Sequence, residues 1–362
     1  MDSKRASNFE LMRIISMIFI VIGHTLSWGG ITSRTSGVTQ LLIYFIYALI
    51  VVHVNSFILL TGYYQYKQEF RLSKVIKLLI LMISYRIILY TLSIILGWQS
   101  FNGIYSYIFN ILPVSNFSYW FLNIYIILYL LSPFLNKLIA CINKREYKIL
   151  LLILFVTCSI MPRITLNTFI DNCDGYSLVQ FIFMYLIGAY LNKYGMTDKI
   201  IIFGKTIKIP RKAKKILIVY LLLGTIKFLL NYMGYRWYLY SNNHFLNMAG
   251  KYLSYSFDKL IYDDPLIILQ SIAYFLFFER INIKSKIINF LAKSTNEIYL
   301  FHMNINIRHN LYLLFGLSLN KYTYLSIPMA IVIALCICII GCLIYYLRKL
   351  VLKVLKNNLH HK

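Results

Sequence analysis

Long apolar segments alternate with short polar ones along most of the chain. Segments such as Leu41–Leu60 and Tyr324–Leu347 contain no charged side chain. An α-helix of about 20 such residues crosses the roughly 30 Å hydrocarbon core of a bilayer. Because apolar surface on this scale has no place in water, the pattern excludes a soluble enzyme, a secreted disulfide scaffold and a disordered chain. It predicts an all-α, polytopic membrane protein.

The pattern predicts about ten transmembrane helices. They are Phe9–Trp28, Gln40–Tyr63, Val75–Leu96, Tyr119–Cys141, Tyr147–Thr165, Leu178–Leu191, Ile216–Met233, Pro265–Phe278, Asn296–Gly316 and Tyr324–Leu347. An even number of spans places both termini on the same side of the membrane. We therefore expect one integral-membrane domain over residues 5–350, followed by a basic tail over residues 351–362.

Charge identifies which side that is. The chain of 362 residues has a net charge of +25 and is 59% hydrophobic. With both termini in the cytoplasm, the inner segments hold 28 of the 37 Lys and Arg residues, and the outer loops hold six. Such an excess on one side is the signature of cytoplasmic loops. It explains the positive charge without a nucleic-acid partner and places the tail beside anionic lipid.

The first predicted span carries three ionisable side chains. Arg13 and His24 are eleven residues apart. At about 100° per residue this makes roughly three turns, so both lie on one face, about 16 Å apart along the axis. Glu10, three residues before Arg13, can pair with it. Either Arg13 and His24 lie at the two interfaces, where an arginine can snorkel, or the stripe faces protein or water as a functional site.

Five segments in order resemble the acyltransferase family 3 membrane proteins. The first is Phe9-Glu-Leu-Met-Arg13, followed by ten residues and His24. The others are Asn55–Tyr63 with its Thr-Gly-Tyr ending, Tyr119-Trp-Phe-Leu122, Phe183–Tyr190, and Ser294–His302 ending in Ile-Tyr-Leu-Phe-His. The resemblance extends over nearly the whole chain and agrees with ten spans. The chain departs from the family at Lys74 and Lys77, where two arginines are usual, and at Tyr125, where many members have a glutamate.

The resemblance implies acyl transfer, usually of acetyl, from cytoplasmic acyl-coenzyme A to a carbohydrate hydroxyl at a bacterial cell membrane. A hydroxyl needs a base near neutral pH, and histidine is suited to that role. His24 would act with Arg13 and Glu10, either as this base or as an acyl-imidazole carrier. Acyl-coenzyme A is a donor substrate, and we expect neither a permanently bound cofactor nor a metal.

Further residues are candidates for the two substrates. The phosphates of the donor require cations at the inner membrane face, for which the candidates are Arg71, Lys74 and Lys77; ordinary loop charge is the other reading. Trp120 could stack on adenine or a sugar, and His302 could line a tunnel or bond a neighbouring helix. We expect the acidic pairs Asp171/Asp174 and Asp263/Asp264 to lie in solvated turns or to contact sugar hydroxyls.

Two other functions remain open at this point. A transporter of polysaccharide or lipid-linked sugar would share the many spans, although no Asp or Glu lies in the middle of a predicted span, as a relay of buried carboxylates would need. An accessory subunit that assists export without catalysis is the third possibility. The sequence does not specify the acceptor sugar, the acyl group or the oligomeric state.

Overall fold

The fold is all-α, as predicted, apart from one short hairpin. The computed structural model describes residues 6–112, 119–165, 171–195, 199–202, 205–208, 212–255, 257, 259–314 and 325–360. The hairpin pairs β1 (Lys199–Ile202) with β2 (Lys205–Lys208) in antiparallel register. The described helices, in chain order, are α1 (Ser7–Trp28), α2 (Ile31–Arg34), α3 (Gly37–Ile50), α4 (His53–Gln65), α5 (Leu72–Ile95), α6 (Gly103–Ile111), α7 (Trp120–Cys141), α8 (Lys144–Phe155), α9 (Met161–Thr165), α10 (Leu178–Tyr194), α11 (Ala213–Tyr240), α12 (His244–Ser254), α13 (Pro265–Arg280), α14 (Lys286–Leu291), α15 (Thr295–His302), α16 (Ile305–Leu314) and α17 (Ser326–His360).

Helices form two compact units. The first consists of Met1–Gln40, Leu72–Asn123 and Lys284–Lys362, and the second of Leu41–Arg71 and Ile124–Ile283. The stripe on α1 lies in the first unit, as do α15 and α16. A site built around α1 can therefore draw on residues from the two ends of the chain.

Seven described segments are long and apolar enough to cross a membrane. They are Ser7–Trp28, Gly37–Gln65, Leu72–Ile95, Trp120–Cys141, Lys144–Thr165, Ala213–Tyr240 and Ser326–Val354. Each corresponds to one of the ten predicted spans. The sixth and eighth predicted spans are helices of 17 and 16 residues, so the count of ten is not confirmed. The cytoplasmic location of the termini stays a prediction.

The ninth predicted span is broken into two helices. α15 ends at His302 and α16 begins at Ile305. Between them Asn304 accepts a hydrogen bond from the backbone N–H of Asn306 at 3.0 Å and donates one to the Tyr119 hydroxyl at 3.0 Å. An asparagine that caps a new helix in this way satisfies backbone donors at the break. The break leaves His302 at the end of α15.

In the second unit, glycines allow α4 and α10 to pack closely. A Cβ atom on Gly62 would overlap the carbonyl of Tyr185, and one on Gly188 would overlap the carbonyl of Leu59. Two of the segments behind the family resemblance therefore meet at this crossing. Their small residues serve helix packing.

The acidic pair Asp263/Asp264 is buried, so the prediction that it lies in a solvated turn is wrong. Asp263 is fully buried and bonds Arg163 at 2.5 Å, while Arg163 also contacts Asp174 at 3.1 Å. Asp264 is buried as well, accepts a hydrogen bond from Lys227 and caps α13 through the Leu266 N–H. Buried charges need such partners. These carboxylates therefore hold the loop before α13 in place.

Candidate active site

The predicted stripe on the first span lies on one uninterrupted helix, α1. Arg13 donates a hydrogen bond from Nη1 to Glu10 Oε2 at 2.9 Å, so the two side chains pair as their spacing indicates. Both are partly buried. The acid in the first turn of α1 also interacts favourably with the positive end of the helix dipole.

The second donor of Arg13 ties α1 to α15. Its Nη2 bonds Thr295 Oγ1 at 2.8 Å, and the Thr295 hydroxyl in turn donates to the carbonyl of Ala292. Two nitrogens of one planar guanidinium thus bond two protein groups on different helices. A snorkelling arginine would direct these donors to water instead.

Eleven residues further along α1, His24 meets a second imidazole. Its Nδ1 lies 3.2 Å from Nε2 of His302, whose Nδ1 lies 2.6 Å from the carbonyl oxygen of Ile298. A carbonyl can only accept, so His302 Nδ1 carries a proton, and neutral His302 presents a lone pair at Nε2. His24 Nδ1 must then donate to it. In the neutral pair the lone pair of His24 is consequently on Nε2.

The two histidines differ in access. His302 is fully buried, whereas His24 is only partly buried. A reacting group can therefore approach His24, while His302 orients it from behind. This division matches a base and its positioning partner, in which the second group fixes the tautomer of the first.

An aromatic and a cationic side chain extend the pair along the first unit. Trp28 stacks on His24 with ring centroids 4.0 Å apart and an interplanar angle of 14°. The guanidinium carbon of Arg308, on α16, lies 4.5 Å from the Trp28 ring. A cation over an indole face is an attractive contact. The imidazole, the indole and the guanidinium are thus contiguous.

The backbone that holds His302 is fixed from two sides. The Tyr119 hydroxyl donates to the carbonyl of Leu300 at 2.9 Å. On the other side, a Cβ atom on Gly341 of α17 would lie 2.8 Å from Ile298 Cγ1 and 2.9 Å from its Cα. Only glycine allows α17 to approach α15 so closely at the residue whose carbonyl binds His302.

An apolar cavity of about 350 Å³ lies along the same helices. Ile14, Met17 and Ile18 contribute to it from α1, and Thr295 and Ile298 from α15. These residues fall between the Arg13 end and the His24 end of the stripe. Its lining includes none of Arg13, His24 and His302, so the cavity lies beside the polar stripe.

The predicted donor residues lie at the start of α5 and just before it. Lys74 and Lys77 are exposed and one turn apart on α5, in the first unit. Arg71 is also exposed, belongs to the second unit, and its backbone N–H bonds the Tyr129 hydroxyl at 3.1 Å. Trp120 is half-buried at the start of α7, beside Phe121. The neighbouring Tyr119 and Phe121 both contact α15.

Several residues of this site were not predicted from the sequence. Trp28 is four residues after His24, a spacing that places two side chains on one helix face, so a signal was present. Arg308 is one of three cations, with Arg86 and Lys227, that lie at least five residues from both ends of a predicted span. Thr295 and Tyr119 lie in segments that resemble the family, but no local pattern indicated their partners, which are far away in the chain.

Chemically, the site can take up a proton at one defined atom. When His24 Nε2 accepts a proton, the Nδ1–H bond to His302 stays in place, and the second imidazole can share the charge. The same Nε2 lone pair could attack a carbonyl carbon. The geometry is therefore compatible with both roles predicted for His24, as base and as acyl carrier.

Comparison with known protein families supports acyl transfer in general. The model of a family described as an acyltransferase domain, type 3, matches residues 7–347. No curated protein and no solved structure matches the chain significantly.

Proposed function

The chain belongs to acyltransferase family 3, and from this premise we propose that it transfers an acyl group, acetyl in the simplest case, from acyl-coenzyme A to a hydroxyl of a cell-envelope carbohydrate. The acceptor would be a capsular or exopolysaccharide sugar. The apolar helices support a location in a membrane, and we assign it to the bacterial cell membrane. Of these statements, the family membership supports acyl transfer in general.

The observation that supports the chemistry best is the defined lone pair at His24 Nε2. In the proposed reaction this atom takes the hydroxyl proton while the sugar oxygen attacks the thioester carbonyl carbon. The C–S bond then breaks, and the departing sulfur receives the proton from the His24 imidazolium. An ester and free coenzyme A are formed, and His24 returns to its neutral tautomer. General-base assistance of this kind is typically worth 10²–10⁴-fold in rate.

Arg13 and the cations near the start of α5 are proposed for the donor. Arg13 is roughly 16 Å along α1 from His24, which suits a substrate whose phosphates and thioester lie at opposite ends of a long arm. Lys74 and Lys77, which belong to the same unit as Arg13, would contribute charge-assisted contacts to these phosphates. Arg71 belongs to the second unit and stays a prediction from the sequence. Trp120 would stack on the adenine or on a sugar ring.

The experiment uses the purified full-length protein in detergent with acetyl-coenzyme A labelled in the acetyl group and with isolated envelope carbohydrate as the acceptor. We expect release of coenzyme A that is lost in His24→Gln, because glutamine cannot take up the proton. The matched control is His244→Gln, since His244 is an exposed histidine at the start of α12. Equal release by the wild type and His24→Gln would refute the proposal, and sugar movement across proteoliposomes without acylation would favour a transporter.

The two roles of His24 are separated by one further measurement. After rapid denaturation of the enzyme with acetyl-coenzyme A alone, mass spectrometry of the peptide that contains His24 reports any retained acetyl group. An acetylated peptide that disappears on addition of acceptor indicates an acyl carrier. Its absence during steady turnover indicates a base.

A further inference from the structure

Arg308 is a cation within a predicted membrane span, among the polar residues Asn306, His309 and Asn310. It lies on α16, within the predicted ninth span, and it is half-buried. A charged side chain at such a position is costly, so it usually has a partner or a function. Its described neighbours include Tyr312, one turn further along α16, and the indole ring of Trp28, 4.5 Å from the guanidinium carbon.

The carboxylates of the first unit are engaged elsewhere. Among its described residues the acids are Glu10 and Glu297, which pair with Arg13 and Arg348. Arg308 makes no hydrogen bond or ion pair with any residue that the structure describes. An indole face attracts the charge but offers no acceptor to the five N–H groups of a guanidinium. These donors are suited to an anionic ligand.

The position of this cation relates it to the reaction. Trp28 contacts both Arg308 and His24, at 4.5 Å and 4.0 Å, so one indole ring separates the guanidinium from the imidazole. Guanidinium groups bind carboxylate and phosphate through two parallel hydrogen bonds. An anion on Arg308 would therefore lie about one indole ring away from the reacting imidazole of His24.

The donor's phosphates do not fit this position. Reacting atoms must come within about 3–3.5 Å of each other, so the thioester lies at His24 while the phosphates lie at the far end of the extended arm. An anion next to His24 then belongs to the acceptor or to the acyl group. The acceptor hydroxyl is the group that His24 Nε2 contacts directly, which favours the acceptor.

We infer that Arg308, held by Trp28, is an anion subsite for the acyl acceptor, and that this acceptor is a carbohydrate with a carboxylate or phosphate on the acylated sugar or its neighbour. The inference rests on the proposed function and narrows its substrate class. Arg308 would position the sugar so that one hydroxyl faces His24.

The first test identifies the product. Envelope carbohydrate is isolated from cells that produce the protein and from cells that produce His24→Gln, and NMR locates the O-acyl group. We expect this group on a uronic acid, on a phosphorylated sugar or on the residue next to one. Acylation of an entirely neutral carbohydrate would overturn the inference and leave the function intact. An acyl group that itself bears a carboxylate, on a neutral sugar, would also overturn it, because the anion would then belong to the acyl group. Acylation independent of His24 would refute the function itself.

The second test changes the cation. Arg308→Gln should lower O-acyl content at least tenfold at equal protein level, since loss of a charge-assisted pair costs about that much affinity. Arg308→Lys should restore part of it. The matched control is Arg236→Gln, because Arg236 also lies over an aromatic ring, that of Tyr240 at 4.3 Å, but is exposed in the second unit. Wild-type acylation by Arg308→Gln would overturn the subsite.

A binding measurement makes the conclusion independent of protein yield in cells. Purified protein is heated with methyl glucuronide or with methyl glucoside as probes. We expect the glucuronide to raise the unfolding temperature of the wild type more than the glucoside does, and the difference to vanish in Arg308→Gln. If the glucuronide exceeded the glucoside by the same amount in the wild type and in Arg308→Gln, Arg308 would not be the anion subsite.

Discussion

His24 Nδ1 lies 3.2 Å from His302 Nε2, although the two residues are 278 positions apart in the chain. Because His302 Nδ1 is bonded to the Ile298 carbonyl, this contact fixes the proton on His24 Nδ1 and the lone pair on its Nε2. The orientation of the base proposed here depends on the second histidine.

His302 should therefore be replaceable only by a hydrogen-bond acceptor. We expect His302→Leu to lower the rate of coenzyme A release by at least tenfold, because His24 Nδ1 loses its acceptor and the wrong tautomer becomes populated. His302→Gln, whose amide oxygen can accept, should retain more activity than His302→Leu. Steady-state kinetics on the purified proteins measures the rate, and we expect the loss to appear as a lower kcat. If both variants were equally active or equally inactive, the orienting role would be wrong.

Arg13 should not tolerate lysine. Its guanidinium bonds Glu10 and Thr295 at once, which a single ammonium cannot reproduce in the same geometry. Each charge-assisted hydrogen bond is worth about 1.5–3 kcal/mol, so acylation by Arg13→Lys should fall roughly tenfold or more. The measurement is O-acyl content at matched protein level. The control is Arg236→Lys, at an exposed arginine, and full activity of Arg13→Lys would show that only the charge at position 13 matters.

The exposed lysines of α5 should control donor affinity. Lys74→Ala combined with Lys77→Ala should raise KM for acetyl-coenzyme A at least tenfold with little change in kcat, because phosphate contacts are charge-assisted. The matched control combines Lys214→Ala and Lys215→Ala, which remove two exposed lysines from the start of α11. An equal KM in the two double variants would show that Lys74 and Lys77 do not bind the donor and are ordinary loop charges.

Gly341 should be required for the position of His302. In Gly341→Ala the new Cβ atom would lie 2.8 Å from Ile298 Cγ1, so α15 must shift at the residue whose carbonyl binds His302. We expect kcat to fall several-fold while the protein remains in the membrane. Ile298→Ala in the same chain removes the contact with Cγ1 but leaves the one with Cα at 2.9 Å, so it should restore only a small part of the activity. No loss in Gly341→Ala would show that the helices separate without disturbing the histidines.

Asp263 should make stability depend on pH. Burial raises its pKa to about 7, although Arg163 acts in the opposite direction, whereas an aspartate in an unfolded chain titrates near 3.9. Between these values the folded protein keeps a proton that the unfolded chain releases. The contribution of Asp263 to the free energy of unfolding is therefore largest below about pH 4 and declines as the pH rises to 7.

Asp263→Asn removes this dependence. The unfolding temperature of the variant minus that of the wild type should be higher at pH 8 than at pH 5. Each unit by which the pKa of Asp263 is raised corresponds to about 1.4 kcal/mol in the free energy of unfolding. Scanning fluorimetry of the detergent-solubilised proteins measures it. The control Asp171→Asn, at an exposed acid, should show no comparable change. A difference that is constant or reversed would contradict a protonated Asp263.

The prediction from sequence succeeded where the signal is local. Apolar segments of about 20 residues predicted seven helices that the structure also places as candidate spans. The pairing of Glu10 with Arg13 followed from their spacing of three residues. It failed where packing decides: Asp263 and Asp264 were expected in a solvated turn and are buried against Arg163 and Lys227.

The sequence by itself determined that Arg13 and His24 share one face of a membrane helix, because 3.6 residues per turn fixes which side chains align. Only the tertiary structure decided what that face meets. Thr295 and His302 reach it from more than 270 positions away, and α16 brings Arg308 to Trp28. Helical periodicity is a property of neighbouring residues, whereas the partner of each side chain depends on how separate helices pack, which no local pattern encodes.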